Sequence, residues 1–425
     1  MALGWRWDGA GTNRCTATYG QHSSSVEIMR PRARWWLLAS LVAVSCRPLT
    51  IATAPAPATE SAVTRVDGRV LSAAQVTDTI ERLMREAHVT GLGVAIINHG
   101  RVAYQRAFGF RDAARALPFT DTTATYAASL TKAMFAHAVA LLAADGRIDL
   151  DRPIARYLPQ PLSAYEKYAE LAAHPWHERF TLRILLNHTS GMPNFRFLNP
   201  DGRLDIRFVP GSRYAYSGEG INLAQFVLEN GVGVDVDSLM RARIFAPAGM
   251  THTAMTWRPE FERDHALPHD SNGAALALRR RTGVRAAGSA TTTLADIARY
   301  AAWFMRDDGV SPAVRTAITQ PQLRIRSLHQ FPTLDTTTTT RDDAIALAYG
   351  LGVGLFTSPR GTAHFKEGHD DGWANYMVTF EQAGVGLVLL SNSDNAERIF
   401  PALLEALIGD RWSPVAWEQW GPRRP

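Results

Sequence analysis

Lysine is almost missing from this chain: of 45 basic residues only Lys132, Lys167 and Lys366 are lysine, and the rest are arginine. A lysine kept in such a background is a candidate for work that arginine cannot do, and giving up a proton is one such task. Cysteine is scarcer still. Cys15 and Cys46 both lie in the first 46 residues, so the body holds no disulfide, no thiolate metal ligand and no thiol nucleophile. Charge of one sign is not concentrated either. The formal charge is +5, and residues 1–46 supply +3 of it, with Arg6, Arg14, Arg30, Arg32 and Arg34 against Asp8 and Glu27. No basic run interleaved with aromatics follows, which excludes a nucleic-acid footprint. The sequence also lacks Gly-x-Ser-x-Gly, and with it the nucleophile elbow of an α/β-hydrolase. What is present is ordinary for a soluble enzyme: 425 residues, 46% apolar and 20% charged, enough for a two-lobed unit with one cleft.

Residues 29–46 place a basic cluster (Arg30, Arg32, Arg34) ahead of a short apolar run that ends in small residues and Cys46. That is the layout of a secretory signal, too short to cross a bilayer as an ordinary helix. Met29 is then a candidate start. Ala43-Val44-Ser45-Cys46 resembles a lipobox, with Ala43 where leucine is usual, so Cys46 is the expected lipidation site. The expectation is an exported protein, periplasmic or anchored to the membrane as a lipoprotein. The expected organisation is a leader at 1–46, an Ala/Pro/Thr-rich tether at 47–70, one catalytic domain at 71–410 and a tail at 411–425.

Within the body, Ser72-Ala-Ala-Gln75 is a capping box before apolar positions at helical spacing, predicting a helix over 73–87. Gly91–Ile97 and Arg101–Gly109 read as strands joined through Asn98-His99-Gly100. Helices and loops dominate from Ser129 to about Arg285. Thr293-Leu-Ala-Asp296 caps a helix to about Met305. Strand character returns at 348–356, 363–365, 376–380 and 384–390, and Ile399–Ile408 reads as a closing helix. Strands at both ends and helices between imply an α+β fold. One sheet is assembled from both termini (about 71–128 and 286–410), with a mostly helical lobe inserted at about 129–285.

Ser129-Leu-Thr-Lys132 puts a hydroxyl and an amine one turn apart on one helix face. A serine needs a nearby base to become a nucleophile. Lysine can be that base only if burial or a neighbouring cation lowers its pKa. From 21 serines and three lysines, composition alone would give about 0.15 such spacings, so the motif is informative but short.

Its context resembles a family. Thr125-Tyr-Ala-Ala-Ser-Leu-Thr-Lys132 is followed by Leu141–Asp151, Leu185-Leu-Asn-His-Thr-Ser-Gly-Met-Pro193, Pro210-Gly-Ser-Arg-Tyr-Ala-Tyr-Ser-Gly218, Pro247–Thr251 and Ala287–Thr293. In this order the segments resemble the β-lactamase-related serine hydrolases over about residues 70–408. That group includes class C β-lactamases, D-alanyl-D-alanine peptidases, D-amino-acid amidases and carboxylesterases. The resemblance implies a penicillin-binding-protein-like fold and an acyl-enzyme on Ser129, with no cofactor and no metal. Lys132 would be the base and Tyr216 the tyrosine of the Tyr-x-Asn motif, stabilised as a phenolate beside an ammonium. Gly218 stands where β-lactamases carry that motif's asparagine. The third motif is read as Gly368-His-Asp-Asp-Gly-Trp373. His369 then takes the basic position and Asp370 the next, while Asp371 replaces the usual glycine. Ser129 and Gly372 would be oxyanion donors, and Trp373 would line the pocket or fill the core. His188-Thr-Ser-Gly191 reads as scaffold.

The implied partner is a small ester, β-lactam or D-amino-acid peptide, with no nucleic acid and with membrane contact only through Cys46. A peptidase or amidase is the nearest alternative. A non-catalytic penicillin-binding sensor is the alternative of another class, opposed by serine, lysine, tyrosine and histidine occurring together. A zinc site from His364, His369, Asp370 and Asp371 lacks a further histidine cluster.

Overall fold

The computed structural model describes residues 60–306 and 309–420. The leader at 1–46 with Cys46, most of the tether and the last five residues lie outside the described residues. Among the described residues no helix is long and apolar enough to cross a membrane.

One antiparallel sheet of nine strands organises the body. In chain order these are β1 (Gly91–Asn98), β2 (Arg101–Asp112), β3 (Leu117–Pro118), β4 (Leu323–Arg324), β5 (Ala348–Tyr349), β6 (Gly354–Ser358), β7 (Gly361–Asp370), β8 (Trp373–Phe380) and β9 (Val385–Ser391). Their spatial order is β3-β2-β1-β9-β8-β7-β6-β5-β4, so the first strands pair with the last and the sheet is closed from both termini, as expected. The β1–β2 turn places His99 and Gly100 at φ +50° and +70°. These are the left-handed positions a two-residue hairpin requires.

Both faces of the sheet are covered, and strand alternation divides the core. Val94, Ile96, Phe365, Tyr376 and Leu389 pack under helix α1 (Ala73–Ala87) and the C-terminal segment. Ala95, Ile97, Met377, Val388 and Leu390 pack under the helical lobe. That lobe holds α2 (Leu130–Ala144) and α3 (Gly218–Val227), and α4 (Leu294–Phe304), from the sheet part of the chain, covers the same face. Helix α1 starts at the capping box the sequence announces, with Ser72 and Gln75 bonding each other's backbone. Thr293 caps α4 through the Asp296 N–H. Helix α2 carries apolar residues on all its faces and is buried along most of its length, as fits a helix inside the core. The closing helix is irregular: regular turns at Phe400–Leu403 widen over Leu404–Ile408. The expected strand at 348–356 is two strands, β5 and β6, separated by a turn.

Beyond the closing helix the chain packs back on the sheet. Trp417 is fully buried and donates its indole N–H to Ser327 Oγ at 3.1 Å.

Candidate active site

The site is built at the N-terminus of α2. Ser129 precedes the first helical residue and is half-buried, reachable from solvent. The residue before it, Ala128, sits at φ +46°, a left-handed conformation that costs a non-glycine residue about 1–2 kcal/mol. The chain tolerates it because neighbours fix the turn: Ala127 N–H bonds Ala290 O at 3.0 Å, and Thr131 Oγ1 bonds Ala128 O at 2.7 Å.

Lys132 follows one turn later, fully buried, with Nζ 2.9 Å from Ser129 Oγ and 2.5 Å from Ala287 O. Burial, helped by the nearby Lys366 ammonium and opposed by Glu367, pushes its pKa well below the usual lysine value. A lysine so placed can be neutral. It then donates to Ala287 O while its lone pair faces the serine proton.

Tyr216 is buried, with Nζ of Lys132 and Nζ of Lys366 each 4.9 Å from its ring centroid. Lys366 Nζ donates to its phenol oxygen at 3.3 Å. The expected phenolate is not what this environment favours. Burial and the Glu367 carboxylate push the phenol well above its usual pKa, outweighing the bond with the Ser129 hydroxyl. The environment therefore favours a neutral phenol at Tyr216, and of the two groups it is Lys132 whose proton is loosened. His188 lies behind it, buried, its ring 4.3 Å from the Tyr216 ring and its Nδ1 accepting the Ser217 N–H at 3.1 Å. Burial keeps His188 neutral, which fits its reading as scaffold.

The largest departure concerns the third motif. Strand β7 pairs with β8 over Ala363–Asp370 but with β6 only as far as Phe365, leaving the edge at 366–370 unpaired beside Ser129. Alternation decides which side chains face the serine. Gly368 faces the nucleophile turn so closely that a Cβ there would stand 2.7 Å from Ala127 O and 3.2 Å from Leu130 N. Lys366, two residues earlier, is on the same face and is fully buried. Its Nζ bonds Tyr216, the Glu367 carbonyl and Glu367 Oε1, and the last of these also accepts from Gln330. Burial lowers the Lys366 pKa despite Glu367. The chain thus offers Lys366-Glu367-Gly368 as its lysine-x-glycine element.

His369 points to the other face of the sheet, where its Nδ1 lies 3.0 Å from Glu397 Oε1. It does not join the Ser129 cluster, contrary to expectation. Asp371 and Gly372 are not strand at all but the two-residue turn between β7 and β8. The Gly372 N–H is already given to Asp394 Oδ1 at 2.6 Å, so it is not a free oxyanion donor. Asp370 bonds Arg281 at 2.9 Å, and that guanidinium covers the Tyr126 ring at 3.2 Å. Trp373 is buried, edge-on to Tyr126, and fills the core. The scarcity of lysine already marks Lys366 as a candidate; the local signal that shifts the motif onto it is Asp371-Gly372 as a hairpin turn.

With this geometry established, the comparisons with known proteins decide the family. The Beta-lactamase family model matches residues 76–409. The chain belongs to the Beta-lactamase family. Among curated relatives of this Beta-lactamase-family chain, penicillin-binding protein 4* of Bacillus subtilis is 24% identical over 77% of this chain and 74% of that protein. Protein flp of Staphylococcus aureus is 22% identical over 47% of this chain and 41% of its own length, so the chain spans less than half of that relative. Two solved structures share the fold. The octameric penicillin-binding protein homologue from Pyrococcus abyssi has a TM-score of 0.64 at 22% identity, covering 79% of this chain and 77% of that one. The D-alanine carboxypeptidase AmpC from Burkholderia cenocepacia has a TM-score of 0.62 at 20% identity, covering 79% and 98%. Among the described residues no cluster of His, Cys, Asp and Glu could hold a metal.

Proposed function

We propose that this chain is a serine hydrolase that forms an acyl-enzyme on Ser129, with esters preferred over β-lactams. The observation that carries the reading is the 2.9 Å contact between a solvent-reachable serine hydroxyl and a fully buried lysine of depressed pKa. Lys132 takes the hydroxyl proton as Ser129 Oγ attacks the carbonyl carbon. The carbonyl oxygen gains the negative charge and is held by the Ser129 N–H and by main-chain N–H groups on the open edge of β7. Collapse of the intermediate expels the alcohol or amine, which receives its proton from the Tyr216 phenol. Lys366 stabilises the phenol oxygen as that proton leaves. Water then repeats the attack on the acyl-enzyme with the same groups reversed.

Gly218 supports the ester preference. A β-lactam with an acylamino chain loses a hydrogen bond where the asparagine amide is absent, at about 1–3 kcal/mol for a desolvated polar group, or roughly tenfold to over a hundredfold in rate. A second reading, a D-alanyl-D-alanine peptidase, is favoured by the shared fold with the Burkholderia carboxypeptidase. The leader pattern at residues 29–46 supports export, either cleaved or acylated on Cys46.

The test is a panel of a short-chain nitrophenyl ester, nitrocefin and a D-Ala-D-Ala peptide, on wild type and Ser129→Ala. The ester should turn over best, and the variant should fall to background while staying folded. A fluorophosphonate adduct on another residue, or activity surviving in Ser129→Ala, would overturn the assignment. Nitrocefin turnover above about 10⁴ M⁻¹s⁻¹ would make the enzyme a β-lactamase instead.

A further inference from the structure

Gly218 is not simply a position from which an amide has been lost. A side chain there has no room, because its Cβ would stand 2.6 Å from Cε1 and 2.8 Å from Cζ of Phe195. An aromatic ring from another segment fills the space where the motif's asparagine would project.

That ring is held firmly. Ser217 Oγ bonds Pro193 O at 2.9 Å, the Gly218 N–H bonds Asn194 Oδ1 at 3.1 Å, and the Glu219 N–H bonds Asn194 O at 2.8 Å. On the far side, the buried Glu219 carboxylate accepts from the Arg196 N–H at 3.1 Å and from its guanidinium at 3.3 Å. Phe195 is thus clamped from both flanks onto the start of α3, two residues from Tyr216. It stacks on Phe197, with centroids 5.2 Å apart and planes 7° from parallel. Phe197 and Leu198 are 70% and 62% exposed, an unusual outlay of apolar surface in a soluble enzyme. Phe331, also partly exposed, packs against Tyr216 from another loop at 5.5 Å.

We infer that Phe195 and Phe197, with Leu198, form the wall that receives the acyl group of the substrate, and that they select saturated acyl chains over acylamino groups. The inference rests on the ester-hydrolase reading above and names the substrate class of that site. An aromatic edge offers no strong partner for an amide, whereas each methylene it removes from water adds up to about fourfold in rate if the contact holds in the transition state. Because the wall is fixed before substrate arrives, little ordering cost offsets this gain.

The experiment measures kcat/KM of the purified full chain for nitrophenyl acetate, butyrate and hexanoate. Wild type should favour hexanoate over acetate by about tenfold or more. Phe195→Ala and Phe197→Ala should each lower that ratio at least threefold. The Phe197 ring is exposed, so its removal opens no cavity and keeps the test alive if Phe195→Ala misfolds. Ser129-dependent acetate hydrolysis with a flat chain-length profile, or with a ratio unchanged in the variants, would overturn the acyl wall and leave the ester-hydrolase reading standing. Absent hydrolysis of all three esters, or hydrolysis that survives Ser129→Ala, would overturn that reading and the wall with it.

Discussion

Two adjoining halves of one short stretch, the end of β7 and the turn that follows it, behave oppositely. Lys366-Glu367-Gly368 and His369-Asp370-Asp371-Gly372 each read as a basic residue with glycine soon after, and they adjoin in the chain. The first half lies on the face toward Ser129, its lysine fully buried and its glycine pressed on the nucleophile turn. In the second half His369 faces Glu397 across the sheet, and the chain then reverses through Asp371 and Gly372. What separates them is parity. A one-residue shift along a strand moves a side chain to the opposite face, so a basic residue in the right region is functional only at the right phase.

Removing each basic group in turn separates the two halves. Lys366→Met should cut kcat/KM on the order of 10²-fold, since Tyr216 loses the ammonium that supports its proton transfer. His369→Ala should cost less than about fivefold, as expected of an exposed ion pair. Equal losses would show that the phase argument is wrong. Lys132→Arg should be as damaging as Lys366→Met, because arginine does not become a base. The pH profile sharpens the point. With the Lys132 pKa held well below its usual value, wild-type kcat/KM should rise with pH through that depressed value and then level off. That limb should vanish in Lys132→Arg.

The two glycines extend the same contrast at smaller size. Gly368→Ala places a methyl 2.7 Å from Ala127 O and should displace Ser129, lowering activity roughly tenfold. Gly372→Ala meets Pro268 and His269 instead, at φ +72°, so it should cost about 1–3 kcal/mol of stability while folded protein keeps most of its activity. Thermal melts set beside active-site titration separate the two. The smallest effect belongs to the His369–Glu397 pair. Desolvation opposes the imidazolium, but the bond to Glu397 and the neighbouring carboxylates of Asp394 and Asp370 raise its pKa to about 9. A raised pKa means the pair's contribution is complete below about 6.5 and fades as pH rises through about 9. Being half exposed, it should be worth under about 1 kcal/mol. Wild type and His369→Ala should therefore differ in melting temperature by a degree or two at pH 6 and converge above pH 9.

Much of this molecule was legible in the chain. The capping box at Ser72–Gln75 and the turn at Asn98–Gly100 are local signals whose chemistry acts within a few residues, and they appear in the structure where the spacing puts them. The strand through Lys366 and Glu367 was harder to read. Two adjacent charged residues interrupt the apolar pattern, and nothing local reveals that they neutralise each other inside the protein.

The sequence alone determined most of the elements and the pairing of Ser129 with Lys132, because helix spacing puts residues three apart on one face whatever surrounds them. It also settled the sheet built from two termini, since alternating and helical apolar periods leave few ways to cover both faces. Only the tertiary structure decided which strand residue meets Tyr216 and that Phe195 fills the space beside Gly218. Each of these depends on contacts between segments far apart in the chain. Register, strand parity and the fit of one ring against one glycine are set by packing.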